Sequence, residues 1–349
     1  MTAPPRPAAP RAVDVVALGE SMVTLLPRTP GRLADVDTFD RAIGGAESNV
    51  ACVLAAAGHS ARWIGAVGTD GFGDHLTAAI AAYGVDTGAV RRDPHRPTGV
   101  YFRTAGDRAT DAHEVAYYRA GSAASAMSPR NTDLAAARAC RVLHLTGITA
   151  ALSGDCHDLL HTLTAPDPGR PLVSFDVNHR PRLWPGAGAD AGADVLLALA
   201  RRSDLVLVGA DEAETLWGHR DADAVRAALP GPRLLVVKQG GRGATLFDGA
   251  DRVFVPALRV DVVAEVGAGD AFAAGFLSAT LRGLPPRERL RHGHLAAAAA
   301  LTVPGDLAAP PGRGHADRLA ALDDDAWGKL RLGPGWTRAD GDEKEVRTT

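Results

Sequence analysis

One beat recurs along this chain: a short apolar run rich in β-branched residues, a segment with helical spacing, then a glycine. "VDVVALGE" at 13–20 reads as a buried strand. "ESNVACVLAAAG" at 47–58 sets Val50, Val53, Leu54 and Ala57 on one helical face and closes on Gly58. "RWIGAVG" reads as a strand and "GDHLTAAIAAYG" as a helix that also ends in glycine. The strands "RVLHLTG", "PLVSFDVN", "DLVLVG" and "RLLVVKQG" follow, with helical segments between them. Continuously apolar strands alternating with helices imply a mainly parallel sheet covered on both faces, an α/β fold. No repeat of fixed period is present. Two stretches break the beat, 33–43 and 98–118. In the second, "TGVYFRT" and "HEVAYYR" alternate like half-exposed strands. They predict a small second layer over the carboxyl ends of the strands, where open α/β sheets take their ligands, and so a lid.

The 349 residues suit one large domain or two smaller ones. Net charge is −3, which excludes the basic field of a nucleic-acid or acidic-membrane binder. "MTAPPRPAAPRAV" lacks the apolar stretch of a signal peptide, and the longest apolar run, "LAAAAALTV", is too short to span a bilayer. Three cysteines without a CxxC fit a reduced, cytoplasmic setting with buried structural thiols. Residues 1–11 and 338–349 read as polar or proline-rich disordered tails flanking a domain over 12–325.

Four constellations carry candidate chemistry. In "VGAGDAFAAGF", Gly267, Ala268 and Gly269 precede a helix and expose backbone N–H groups at its positive end, a site for an anion. Asp270 there is placed to take a proton from an attacking hydroxyl; the alternative is a favourable first-turn acid. "KQGGRGATLF" follows a strand and sets Lys238, Gly240 and Gly243 in a K-x-G-x-x-G pattern, either a nucleotide approach or a hairpin turn; it is not a P-loop. "GGAESNVA" places Asn49 in the first turns of a helix, where it bonds a polyol or merely follows an N-cap turn served by Glu47 and Ser48. "YYRAGSA" and "DVNHR" offer Arg119 and Arg180 as bidentate partners for a carboxylate, and Tyr101 and Tyr117 offer hydroxyls at the lid. The spacing of His157 and His161 suits a metal pair but lacks an acidic partner, so a solvated face is expected; His292 and His294 are expected on a helix surface.

In this order and spacing, "GGAESNVA", "AVGTDGFGDHL", "DVNHRPRLW", "DEAETLWG", "KQGGRG" and "VGAGDAFAAGF" resemble the ribokinase-like, phosphofructokinase B type sugar kinases over about 13–322. "TGVYFR", "YYRAGSAASAMSP" and "LHLTGITAALS" are similar to the 2-keto-3-deoxygluconate kinases among them. The resemblance implies a ribokinase-like three-layer α/β/α sandwich with a small β-strand lid, at about 33–43 and 98–120, that often joins two copies into a homo-oligomer. It implies that Gly45, Ala46, Glu47, Ser48, Asn49, Tyr101, Tyr117, Arg119, Arg180, Asp270 and Asp306 contact a sugar acid. It implies ATP beside Asn178, Arg180, Lys238, Gly240, Gly243, Gly267, Gly269 and His294, and Mg²⁺ near Glu212. It implies Asp270 as general base of a phosphoryl transfer that yields the 6-phosphate.

Three positions depart from the family pattern. Ala264-Glu265 stand where a family Asp lies near a monovalent cation site. Gly209 replaces the usual Asn of N-x-x-E, and His294 replaces an Asn near the nucleotide. These bear on cation dependence and nucleotide affinity. A neutral-sugar kinase of fructokinase or ribokinase type is the alternative enzyme. A non-catalytic sugar-acid sensor on the same fold is the alternative outside catalysis.

Overall fold

A computed structural model describes residues 12–29, 31–104, 114–184, 190 and 192–338. The expected tails lie outside them, apart from Arg338 at the end of a short 3-10 turn, as do residues 105–113 of the expected lid. Eight strands form one sheet in the order Asp251–Pro256, Gly243–Asp248, Leu234–Lys238, Leu205–Gly209, Leu172–Asp176, Cys140–Thr146, Val13–Leu18, Ala61–Ile64. The six from Leu234–Lys238 onward are parallel, and the two at the other edge run antiparallel.

The apolar runs are continuous because each strand feeds two cores. Val15 and Ala17 join one buried cluster while Val16 and Leu18 join the other; Leu205 and Leu207 oppose Val206 and Val208 in the same way. Side chains alternate across a strand, so both faces must be apolar when both are covered. Helices Ala46–Ala56, Gly71–Ala82, Ala268–Leu281 and Pro286–Leu301 pack on the first face. Helices Gly154–Leu163, Ala193–Arg201, Ala210–Trp217 and Ala222–Ala228 pack on the second. The result is the expected α/β/α sandwich. Leu76, fully buried on its helix, is typical of the contacts involved; its truncation to Ala would cost about 2–5 kcal/mol.

A second sheet of four strands follows the order Phe39–Gly44, Met22–Pro27, Val100–Arg103, Val115–Tyr118. The sequence expectation omitted Met22–Pro27, which only Gly19, Glu20 and Ser21 separate from the first strand. Asp70 pins this sheet to the sandwich: its carboxylate caps helix Gly71–Ala82 through Gly73 N–H at 2.8 Å and accepts from Thr98 N–H and Oγ1 at 2.8 and 2.9 Å.

From the first strand the chain passes to Ala61–Ile64 on one side and later returns to Cys140–Thr146 on the other. That reversal is the crevice where α/β sheets bind ligands.

Candidate active site

Helix Ala268–Leu281 begins at Gly267, whose φ of 78° lies in the left-handed region. A Cβ there would also stand 2.2 Å from the Asp306 carbonyl oxygen, so glycine is required twice over. No side chain caps this helix, which leaves its first N–H groups free for an anion. A Cβ on Gly269 would lie 3.9 Å from Lys238 Nζ, which places the ammonium beside the same turn. The run at 267–269 is small because backbone, Asp306 and Lys238 converge there.

Asp270, in the first turn, accepts a hydrogen bond from Asn49 Nδ2 at 2.9 Å, across 221 residues of sequence. Asn49 sits in the first turn of helix Ala46–Ala56, directly after Gly45, where a Cβ would meet the Glu20 carbonyl oxygen at 2.5 Å. The starts of two helices thus meet over the strand ends. Burial raises the Asp270 pKa; the Asn49 bond opposes it, Asp176 adds to it, and Lys238 and Arg180 counter it, leaving the carboxyl at about 7. Asp270 nonetheless keeps partial exposure, so a substrate can reach it.

Lys238 Nζ donates to both oxygens of buried Asp176, at 3.1 and 2.8 Å. Burial works against the ammonium, but Asp176, Glu212 and Asp270 outweigh it and hold its pKa above the ordinary value. Below lies His144, buried, its Nδ1 3.1 Å from Ser174 Oγ and its pKa pushed down to about 4 by burial, hence neutral. Glu212 accepts Gly209 N–H at 2.8 Å and His179 N–H at 2.9 Å, tying helix Ala210–Trp217 to the turn after Leu172–Asp176. Glu212 therefore serves the end of its own helix, and no Asn is required at Gly209 for that purpose. In the adjoining turn Asn178 has φ 37°, the one positive value among described non-glycine residues. Arg180 is exposed, and its Nη1 donates to the His179 carbonyl at 2.9 Å. Lys238–Gly243 is indeed a hairpin turn: Leu234–Lys238 and Gly243–Asp248 are antiparallel around a 3-10 turn, with positive φ at Gly240 and Gly243.

At the small sheet, Tyr101 OH donates to Asp306 Oδ2 and Arg103 Nη2 to Oδ1, both at 2.8 Å. Tyr117 stacks on Tyr101 at 5.4 Å, and the Arg119 guanidinium lies 5.7 Å from the Tyr117 ring centre. Arg119 also forms an ion pair with buried Glu20, which accepts Ser122 Oγ at 2.9 Å. Its charge is therefore matched within the protein. Burial raises the Glu20 pKa against the pull of Arg119.

Several expected side chains are placed otherwise. Glu47, read as a sugar contact, is 0% exposed, with Oε1 accepting Thr146 and Thr149 hydroxyls at 2.8 and 2.6 Å. Ala46 is buried and Ser48 Oγ bonds Ser21 Oγ at 2.8 Å, so Asn49 is the residue of that run whose side chain bonds Asp270. His292 and His294 are buried rather than on a helix surface, because helix Pro286–Leu301 is covered on several sides. His294 packs against Phe272 and Trp327, with Nε2 3.3 Å from the Val255 carbonyl, and burial pushes it to about 4. His292 lies 3.1 Å from Asp317. Among the described residues no group of three or more His, Cys, Asp or Glu is arranged to hold a metal, and His157 and His161 only approach each other at 6.3 Å. Asp176, Glu20 and Arg103 were not singled out from sequence. Asp176 and Arg103 lie inside the quoted "DVNHR" and "TGVYFR", and Glu20 ends the first strand run.

The three cysteines are free, and burial raises their pKa values to about 12, 12 and 11 for Cys52, Cys140 and Cys156. No helix among the described residues is long and apolar enough to cross a membrane.

Comparison with known proteins agrees with this geometry. The model of the pfkB family carbohydrate kinases matches residues 12–311. The chain is 34% identical to the 2-dehydro-3-deoxygluconokinase of Thermoproteus tenax over 309 residues, 88% of this chain and 94% of that protein. It is 31% identical to fructokinase-2 of Zea mays over 271 residues, 75% of this chain and 78% of that one. The crystal structure of a PfkB protein from Polaromonas sp. JS666 aligns with a TM-score of 0.78 at 35% identity, covering 88% of this chain and 99% of that one. The sandwich, the two facing helix starts and these matches lead to one conclusion: the chain belongs to the pfkB family of carbohydrate kinases.

Proposed function

We propose that this kinase transfers the terminal phosphoryl group of ATP to the 6-hydroxyl of 2-keto-3-deoxygluconate, the sugar acid also called 2-dehydro-3-deoxygluconate, with Asp270 as general base. The observation that carries the reading is Asp270 itself: bonded by Asn49, at an uncapped helix start, beside Lys238, with its pKa brought to about 7. A base works best when its pKa is near the operating pH.

Asp270 takes the proton of the 6-hydroxyl, the hydroxyl oxygen bonds to the terminal phosphorus, and the bond from that phosphorus to the bridging oxygen of ADP breaks. In a loose transition state the proton leaves late, so a carboxylate of this strength suffices. Amides at 267–269, the helix start and Lys238 stabilise charge on the transferred group. Magnesium, when bound, neutralises phosphate charge and keeps much of its water shell. Glu212 fits such a water-bridged ion, since its oxygens accept one backbone N–H each, from Gly209 and His179, and keep further lone-pair capacity. Ala264 brings no side-chain oxygen to its turn, so the reading includes no monovalent-cation requirement.

One cation favours an acid as substrate. Arg180 has no carboxylate partner among the described residues and is close enough to lower the Asp270 pKa. Arg119 is matched by buried Glu20, so it shapes the pocket beside Tyr117 without adding net charge. Similarity to the T. tenax enzyme points the same way. The four-stranded sheet then acts as a lid that excludes water, and its exposed Tyr117 and Tyr118 suit contact with a second copy.

A neutral-sugar kinase is the second reading, favoured by the Glu20–Arg119 pair, which cancels one cation, and by the maize similarity. Asp270→Asn tests the chemistry. We expect kcat to fall by about 10²-fold or more while nucleotide binding is kept. Near-normal turnover would refute the base, and sugar-acid binding without ADP release by the unmodified protein would support a sensor instead.

A further inference from the structure

The helix that presents Asn49 to Asp270 is anchored by a side chain that touches no solvent. Glu47, two residues before Asn49, is fully buried at the crevice between strands Val13–Leu18 and Cys140–Thr146. Thr146, at the end of the second strand, and Thr149, in the short helix Gly147–Ala151 that follows, both donate to its Oε1. On the other side the chain has come so close that a Cβ on Gly19 would stand 2.1 Å from the Glu47 carboxyl carbon, so Gly19 must be glycine for Glu47 to be there. The second oxygen, Oε2, is buried and takes no hydrogen bond from any other described residue, its own backbone N–H being the group nearest to support it. A fully buried carboxylate with so little support at one oxygen is expensive, and a neutral carboxyl is not.

The same turn holds the general base. Asn49 joins it to Asp270, and the two carboxyls repel when both are charged. Asp270 is also faced by Asp176, Lys238 and Arg180, and Glu47 is faced by Thr146, Thr149 and Asp270. We infer that Glu47 is a positioning residue: it ties the Asn49 turn to the strand ends and, as a second carboxyl coupled to Asp270, sets the pH at which the base becomes available. Glu47 is thereby removed from the sugar contacts and given a role through Asn49 and Asp270. This rests on the reading of Asp270 as base.

Burial, opposed by the two threonine bonds and reinforced by Asp270, raises the Glu47 pKa from 4.5 to about 7. Asp270 is the smallest of these influences, so the two carboxyls are coupled modestly. Linkage gives the sign. A carboxyl that binds its proton more tightly when folded favours the folded state fully below its unfolded pKa. That advantage is lost as pH rises through the folded value.

Glu47→Gln keeps the oxygen that the threonines bond and removes the charge. The test measures kcat/KM against pH and the melting temperature from about pH 5 to 8. We expect the acid limb to move down by about half a pH unit and to sharpen toward a single titration. We also expect melting to depend less on pH than in the unmodified chain. Thr149→Val, which removes one donor, should carry the decline in melting temperature to higher pH. A limb that does not move overturns the coupling, whatever happens to stability. If no sugar or sugar acid is phosphorylated, the base assignment fails by itself and the melting arm decides: equal pH dependence in all three proteins overturns the role of Glu47.

Discussion

The two ends of the site are built by different means. The phosphoryl end centres on a glycine turn and the uncapped start of helix Ala268–Leu281, backed by the Asn49 bond to Asp270 and by Lys238 on Asp176 at two strand ends that flank strand Leu205–Gly209. The sugar end is made of long-range side-chain pairs. Glu20 meets Arg119 across 99 residues, and Arg103 meets Asp306 across 203. The first end carries a carboxyl held at about 7, whereas at the second end Asp306 accepts from Tyr101 and Arg103 and Glu20 pairs with a guanidinium. On the proposed reading the first arrangement serves phosphoryl transfer and the second a choice among sugars.

The largest expected effect breaks the phosphoryl end. Asp176 is nearly fully buried, so Lys238→Met leaves a carboxylate without its cation. We expect a loss of about 3 kcal/mol in unfolding free energy, read by denaturant melts, together with a fall in kcat. A variant as stable as the parent would show that the pair does not hold these strand ends. A smaller effect sharpens the contrast. Arg103→Gln takes a charged donor from Asp306 while leaving the phosphoryl end intact. KM for the sugar should rise by roughly tenfold, the equivalent of one charge-assisted bond, with KM for ATP unchanged. If both KM values rise together, the two ends are not separate.

The same contrast explains what was legible in the sequence. The strand-helix beat predicts the sandwich because burial on both faces forces continuous apolar runs, as Val15 to Leu18 show by feeding two cores in turn. The 267–270 turn is legible because its parts are contiguous. Strand Met22–Pro27 was not, since a link of only three residues, Gly19 to Ser21, merges it with the strand before. Glu20 and Arg103 were not, because nothing local to either names a partner so distant in sequence. His294 was misplaced for a related reason: a histidine within an alanine-rich helix reads as surface until a second helix and Trp327 are known to cover it. Glu47 was assigned to the sugar from its neighbours in the motif, yet a helix turns by 100° per residue, and its side chain points to Thr146 and Thr149 while that of Asn49 points to Asp270.

An acid substrate is chosen, on the proposed reading, by Arg180, the cation near Asp270 with no carboxylate partner among the described residues. The direct measurement is kcat/KM for 2-keto-3-deoxygluconate, fructose and ribose, in the parent and in Arg180→Met. We predict that the parent prefers the acid by about 10-fold to 150-fold, the worth of 1.5–3 kcal/mol of charged hydrogen bonding, and that Arg180→Met removes most of that preference while sparing turnover of the neutral sugars. Equal kcat/KM for the acid and for fructose in the parent would contradict it.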